Sequence, residues 1–163
     1  MTFIRRAVGE DYEAVWSIIE PVLRSGDADT FETNWSRAEA LAYWCDPEKY
    51  TFVAERDGEI LGTYFLRVEA VEDGRYDRES RYITSDKARG LSVMGAMSAH
   101  SQGIAKELGF KGIKFSFVQQ GNTGAIRIWK KAGFDIVGTV RNAFGHPKEG
   151  FSDAHVMCKW VPQ

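Results

Sequence analysis

Apolar residues recur at alternate positions in several short runs of this chain and at helical spacing in longer ones, and the two periods divide it into elements. Phe3 to Arg6 reads as a strand and Asp11 to Leu23 as a helix. Ser36 to Cys45 reads as a second helix. Ser36 and Glu39 there have the S-x-x-E spacing of a capping box, in which each side chain satisfies the other residue's backbone amide. Strands Thr51 to Glu55 and Ile60 to Val68 follow, joined by Arg56-Asp57-Gly58-Glu59, whose Asp-Gly pair is a tight-hairpin signal. After Val71 the polar stretch EDGRYDRES reads as a loop, ending at a short strand, Tyr82-Ile83-Thr84, and a turn, Ser85-Asp86-Lys87.

Beyond that turn, Arg89-Gly90 leads into a helix whose apolar stripe is Val93, Ala96, Met97, Ile104 and Leu108. Ile113, Phe115 and Phe117 stand at period two, so Phe115 to Gln120 reads as a half-buried strand ended by Gly121. Asn122 then offers a side-chain oxygen to an orphan amide of a new helix. Ala125, Ile128, Trp129 and Ala132 share one face of that helix, and Gly133 suits its C-terminal stop. Phe134 opens the last region, with strands Asp135 to Arg141 and Ser152 to Lys159 separated by Asn142 to Gly150. On pattern alone the 115–141 piece is a packed strand-helix-strand unit in which Trp129 is core and Asn122 is a cap. No internal repeat or linker interrupts the chain, which reads as one α+β domain over 1–163.

Composition narrows the classes. A chain of 163 residues with 44% hydrophobic residues can bury a full core. Its net charge of -2 and lack of a dense basic run give no reason to expect nucleic acid. Cys45 and Cys158 lie far apart without metal spacing, which suits a reducing compartment and predicts no metal site. No segment reaches membrane-spanning length and MTFIRRAVGEDY has no apolar signal core, so a cytoplasmic enzyme or sensor is expected.

Candidate chemistry concentrates in Arg89-Gly90-Leu91-Ser92-Val93-Met94-Gly95. A loop of small residues ending in a helix start offers backbone amides and the positive end of a dipole to an anion, as a pyrophosphate would need. Lys87, Arg127, Lys130 and Lys131 could neutralise phosphate, although the last two read better as a solvated helix face. His100 reads as a hydrogen-bonded histidine at the apolar face of its helix. His155 shares a strand face with Asp153, a spacing that a base and an orienting carboxylate could use, although polar strand positions read better as facing solvent.

Taken together, Arg89 to Met94, the helix ending Glu107-Leu108-Gly109-Phe110, and Asn122-x-x-Ala125-x-x-Ile128-Trp129-x-x-x-Gly133-Phe134 resemble the Gcn5-related N-acetyltransferase (GNAT) superfamily. Its cofactor loop is written Q/R-x-x-G-x-G/A and its later motif N-x-x-A-x-x-L-Y-x-x-x-G-F. The resemblance covers essentially the whole chain and looks nearest to a bacterial small-molecule branch, through Gly26-Asp27-Ala28-Asp29, Glu39 to Trp44 and Ala143 to Pro147. It implies a mixed, mostly antiparallel sheet flanked by about four helices, with splayed central strands. Acetyl-CoA is the implied cosubstrate and a small-molecule amine the implied acceptor. Its pantetheine arm would meet the backbone of Ile83, Thr84 and Ser85, and its pyrophosphate the amides around Arg89, Gly90, Leu91, Ser92, Val93, Met94 and Gly95. Asn122, Ala125 and Trp129 would line the same cleft, with Asn122 reaching the arm or the acceptor. Glu69 is the candidate general base. Asp27, Asp29, Thr30, Phe31 and Tyr64, with Trp35, would wall the acceptor pocket, whose acidic groups attract a cationic amine. Homodimerisation through the late strands is common among such relatives and stands as an expectation.

The departures are specific. Ser92 and Met94 stand at the two glycine positions of the loop motif, and Met94 must either turn into the helix packing or occupy cofactor space. Trp129 replaces the tyrosine to which the family's thiolate-protonating role is ascribed, and an indole N–H has no usable acidity near neutral pH. Two readings follow: an acetyl-CoA-dependent N-acetyltransferase of small amines working by direct attack, or a module of this fold that has lost cofactor binding and acts as a non-catalytic ligand-binding or interaction protein.

Overall fold

The computed structural model describes residues 1–25, 34–68, 76–146 and 148–161. Its strands are β1 (Phe3–Arg6), β2 (Lys49–Arg56), β3 (Glu59–Val68), β4 (Tyr76–Thr84), β5 (Gly112–Gln119), β6 (Asp135–His146) and β7 (Gly150–Trp160). Its helices are α1 (Tyr12–Ser25), α2 (Arg37–Trp44), α3 (Val93–Glu107) and α4 (Thr123–Lys131). The expected local signals operate. Ser36 and Glu39 close the capping box of α2, with Ser36 Oγ accepting from the Glu39 amide at 3.2 Å and Glu39 Oε2 from the Ser36 amide at 2.7 Å. Asp57 and Gly58 both take positive φ in the β2–β3 hairpin, as its twist requires.

One seven-stranded sheet runs β1-β2-β3-β4-β5-β7-β6. Every neighbouring pair is antiparallel except β4 and β5, which are parallel and, among the described residues, joined only at Tyr76↔Gly112 and Asp77↔Ile113. Past those pairs β4 stays on β3 as far as Gly62↔Thr84, and β5 stays on β7 as far as Gln119↔Ala154. The two strands therefore splay, leaving a V at the centre of the sheet. This is the mixed α+β architecture expected.

Period-two alternation sorts the core by face. Val53 and Phe65 meet Val15, Ile19, Leu23, Ala40, Leu41 and Trp44 of α1 and α2. On the opposite face Phe52, Ala54, Tyr64 and Leu66 meet Val93 and Met97 of α3. Beyond the V, Trp129 of α4 packs with Phe115, Phe134 and Met157 and with Ala105 of α3. Met94 packs against both of the last two clusters. Among the described residues, no helix is long and apolar enough to cross a membrane.

Two elements are longer than the sequence suggested. β4 begins at Tyr76, inside the polar stretch read as a loop, because its ladder to β3 is made by backbone groups and does not require apolar side chains. β6 continues through Asn142 to His146: Val140 pairs with Ala154 and Phe144 with Ser152, so a bulge absorbs the extra residues, with Asn142 at φ 52° and its amide donating to Asp153 Oδ1 at 3.0 Å.

Candidate active site

Two cavities lie on the α3–α4 side of the sheet. The larger, about 900 Å³, opens at the start of α3 and is lined by Thr84, Ser85, Arg89, Gly90, Ser92, Val93, Met94 and Gly95, with Ile128 and Lys131 of α4 opposite. The smaller, about 200 Å³, fills the V and is lined by Ser80, Arg81 and Tyr82 of β4, Phe115, Val118 and Gln119 of β5, and Asn122, Ala125 and Trp129, with Phe144 and Ala154 behind. Met94 is part of both walls.

Local chemistry explains the larger cavity. Ser85 caps a single turn over 86–88, Gly90 reverses the chain at φ 77°, and Ser92 takes a left-handed conformation, φ 57° and ψ 28°, as α3 begins. Ser92 makes no side-chain cap bond. The first-turn amides of α3 have no acceptor within the helix, so they point a set of donors and the helix dipole at the cavity. A Cβ at Gly95 would meet nothing within 4 Å, which leaves a close approach to the backbone open. Arg89 and Lys131 add positive charge. Lys87 instead pairs with Glu59 at 2.5 Å. The loop thus opens helix-start amides onto a cavity with serine and methionine at the motif's glycine positions. Ser92 adopts the left-handed angle itself, and half-buried Met94 packs between two core clusters while still bordering both cavities.

Most of the expected cofactor residues come together here. Ile83 and Leu91 border neither cavity: alternation turns Ile83 to the α1–α2 face, and Leu91 packs on the α3 cluster. Asn122 caps α4 through Oδ1, which accepts from the Ala125 amide at 3.2 Å, and also borders the V. Trp129 is 6% exposed, with its ring 4.5 Å from that of Phe115 and 4.9 Å from that of Tyr82, so it is both core and cavity wall.

One expectation needs correction, and one alternative falls away. Tyr64 cannot wall an acceptor pocket, because it is 0% exposed beneath α3, stacked between Phe52 and Tyr82, with its hydroxyl 2.7 Å from His100 Nδ1. Its position on β3 puts it on the covered face. The alternative of His155 and Asp153 as a base and its orienter falls away: His155 Nδ1 bonds the Thr139 hydroxyl at 2.9 Å, Asp153 accepts from the Asn142 amide, and neither borders either of these two cavities. His100 matches its expectation, and burial lowers its pKa. Asp27, Asp29, Thr30, Phe31 and Glu69 lie outside the described residues.

The sequence reading missed Ser80, Arg81, Tyr82 and Gln119 as cavity walls. Starting β4 at Tyr76 would have exposed Ser80 and Tyr82 through alternation, whereas Arg81 falls on the other face and joins the wall only through the splay of the strands. No thiol competes as a nucleophile at these cavities, since neither cysteine lines either of them, and burial pushes Cys45 up to about 11 and Cys158 upward. Among the described residues no group of three or more His, Cys, Asp or Glu could hold a metal ion.

Comparison with known proteins assigns the arrangement. No curated protein matches the sequence significantly. A GCN5-related N-acetyltransferase from Kribbella flavida superposes with a TM-score of 0.87 at 26% identity, over 98% of this chain and 98% of that one. An N-acetyltransferase from Staphylococcus aureus Mu50 has the same fold, with a TM-score of 0.84 at 18% identity over 99% of each chain. So has a GNAT superfamily phosphinothricin acetyltransferase from Sinorhizobium meliloti in complex with AcCoA, with a TM-score of 0.78 at 20% identity over 98% of this chain and 88% of that one. Residues 12–134 match the Acetyltransferase (GNAT) family, and the chain belongs to that family as an acetyl-CoA-dependent acetyltransferase.

Proposed function

We propose that this acetyltransferase acts on the amine of a small molecule, an amino acid or an analogue of one, which attacks the thioester directly. The observation that carries the reading is the pair of cavities meeting at Met94: a roomy one with open helix amides for the nucleotide end, and a V of only about 200 Å³ for the reacting groups. A small V favours a compact acceptor over a folded surface. Arg81 on its wall suits an acceptor with a carboxylate beside the amine. The phosphinothricin acetyltransferase of S. meliloti shares the fold and supports an amino-acid analogue as the kind of acceptor.

The residues have distinct tasks in this reading. The first-turn amides of α3, with Arg89 and Lys131, hold the pyrophosphate, and the backbone of Thr84 and Ser85 guides the arm toward the V. Asn122 fixes the start of α4 and turns its remaining amide group toward arm or acceptor. Trp129 closes the wall but cannot supply a proton, so the thiolate, whose thiol has a pKa of about 8.5, leaves unassisted or through water. Glu69 takes the proton from the ammonium, and Asp27, Asp29, Thr30 and Phe31 form the acceptor side. The free Cys45 and Cys158 support a cytoplasmic setting.

The test is thiol release from acetyl-CoA with the standard amino acids, L-phosphinothricin, spermidine and an alanine-starting peptide as separate acceptors. Turnover with an amino acid or phosphinothricin is expected. Turnover confined to the peptide or the polyamine, or absent with all four classes, would reject the proposed acceptor.

A further inference from the structure

Among the described residues, a single buried side-chain polar atom lacks a hydrogen-bond partner: the Oγ of Ser80. The residue is 1% exposed and lines the cavity in the V. Native proteins rarely leave such a group unsatisfied, so its partner is expected to arrive with a ligand.

Its neighbours on the same wall are already engaged. Gln119 Nε2 donates to Ser152 Oγ at 3.2 Å, Asn122 Oδ1 caps α4, Arg81 Nη1 donates to the Ser80 carbonyl at 3.1 Å, and the Tyr82 hydroxyl donates to Ser101 Oγ at 2.7 Å. Alternation along β4 puts Ser80, Tyr82 and Thr84 on one face, and Tyr82 marks it as the face beneath α3 and α4. Thr84 borders the larger cavity and Ser80 the V, four residues apart, or about 13 Å of strand. An extended chain anchored at the α3 amides and passing Met94 brings its far end to Ser80.

We infer that the Ser80 hydroxyl is a catalytic residue that donates a hydrogen bond to the acetyl carbonyl oxygen of acetyl-CoA. The inference rests on the acetyltransferase assignment and not on the identity of the acceptor. In the step it serves, the lone pair of the neutral amine forms the new N–C bond while the C=O π pair moves onto oxygen. That oxygen is held by the Ser80 O–H. The pair then returns to re-form C=O, the C–S bond breaks with its electrons on sulfur, and the nitrogen loses one proton to a base or water. Ser80 keeps its own proton throughout. Donation to the amine is disfavoured, because it would occupy the lone pair that must attack. A hydroxyl aimed at the developing charge is worth more than at the ground-state carbonyl.

The test compares wild type with Ser80→Ala, using CoA and acetyl-CoA as probes and no acceptor. With no partner lost inside the protein, Ser80→Ala should melt at the wild-type temperature or above it. CoA affinity by calorimetry should stay within about twofold, while acetyl-CoA affinity falls about three- to tenfold, the range of one neutral hydrogen bond. Infrared spectra of acetyl-CoA isotope-labelled at the carbonyl should show a lowered C=O stretch in the wild-type complex that returns toward its solution value in the variant. An unchanged acetyl-CoA affinity and stretch would overturn the inference and leave Ser80 with no part in holding the acetyl group. An equal loss for CoA, or a lowered melting temperature, would overturn it in favour of a structural role. Wild-type protein that binds neither probe would reject the acetyltransferase assignment itself, and this inference with it.

Discussion

Ser92 is the place where the cofactor loop departs from glycine, and its backbone makes the consequence calculable. At φ 57° and ψ 28° it sits in the left-handed region with no cap bond to offset the strain. A residue with a Cβ loses about 1–2 kcal/mol there, whereas glycine enters freely but loses about 0.5–1 kcal/mol more conformational entropy on folding. Ser92→Gly should therefore stabilise by roughly 0.5–1 kcal/mol. For 163 residues the unfolding entropy is about 0.34 kcal/mol per kelvin, so the melting temperature should rise by roughly 1.5–3 °C. Gly90→Ala is the opposite control: at φ 77° with nothing within 4 Å of the new Cβ, its cost is purely conformational, about 1 kcal/mol or 3 °C downward. Calorimetric scans of both variants give the shifts, and titration with acetyl-CoA should show Ser92→Gly binding at least as tightly as wild type. A fall in melting temperature for Ser92→Gly would refute the argument and assign the hydroxyl a stabilising bond. Weaker binding at unchanged stability would make the serine a cofactor contact.

Met94→Ala should cost about 1–2 kcal/mol, less than a fully buried methionine, and keep or tighten CoA affinity by calorimetry; a clear loss would make Met94 a contact rather than an obstruction. Asn122→Ala removes the α4 cap and should cost about 1 kcal/mol in a denaturation curve, while turnover of the folded variant falls further than that explains. Trp129→Phe should lose packing against Tyr82 and Phe115, about 1–2 kcal/mol, yet retain transfer, and the pH–rate profile should lack a descending limb from a tyrosine acid; an inactive but folded and CoA-binding variant would contradict this. Asp11 accepts two bonds from Arg5, at 2.7 and 2.9 Å, and one from the Val8 amide, which hold its pKa below the usual carboxylate value. The stability it contributes is present above about pH 4 and is lost as pH falls through its lowered folded value, so the acid side of a urea-midpoint profile should flatten in Asp11→Asn.

Local physics carried much of the chain. The capping box of α2, the Asp-Gly hairpin, the Asn122 cap and the apolar stripes of α3 and α4 each depend on residues a few positions apart, and each was legible from spacing. So was the run from Gly90 into the start of α3, since a loop of small residues leading into a helix start is a local signal. Other features depended on partners distant in sequence. Whether β4 extends into a polar stretch is decided by the β3 backbone beside it, and whether Asn142 ends a strand or bulges within it is decided by β7. Tyr64 looked free to line a pocket until α3 was seen to cover that face. The fate of Met94 depended on two core clusters meeting around it, and the isolation of Ser80 on the splay of two strands that pair only at their beginnings. Spacing determines which way a side chain leaves its own element, but only packing decides whether that direction leads to solvent, to core or to an open cavity.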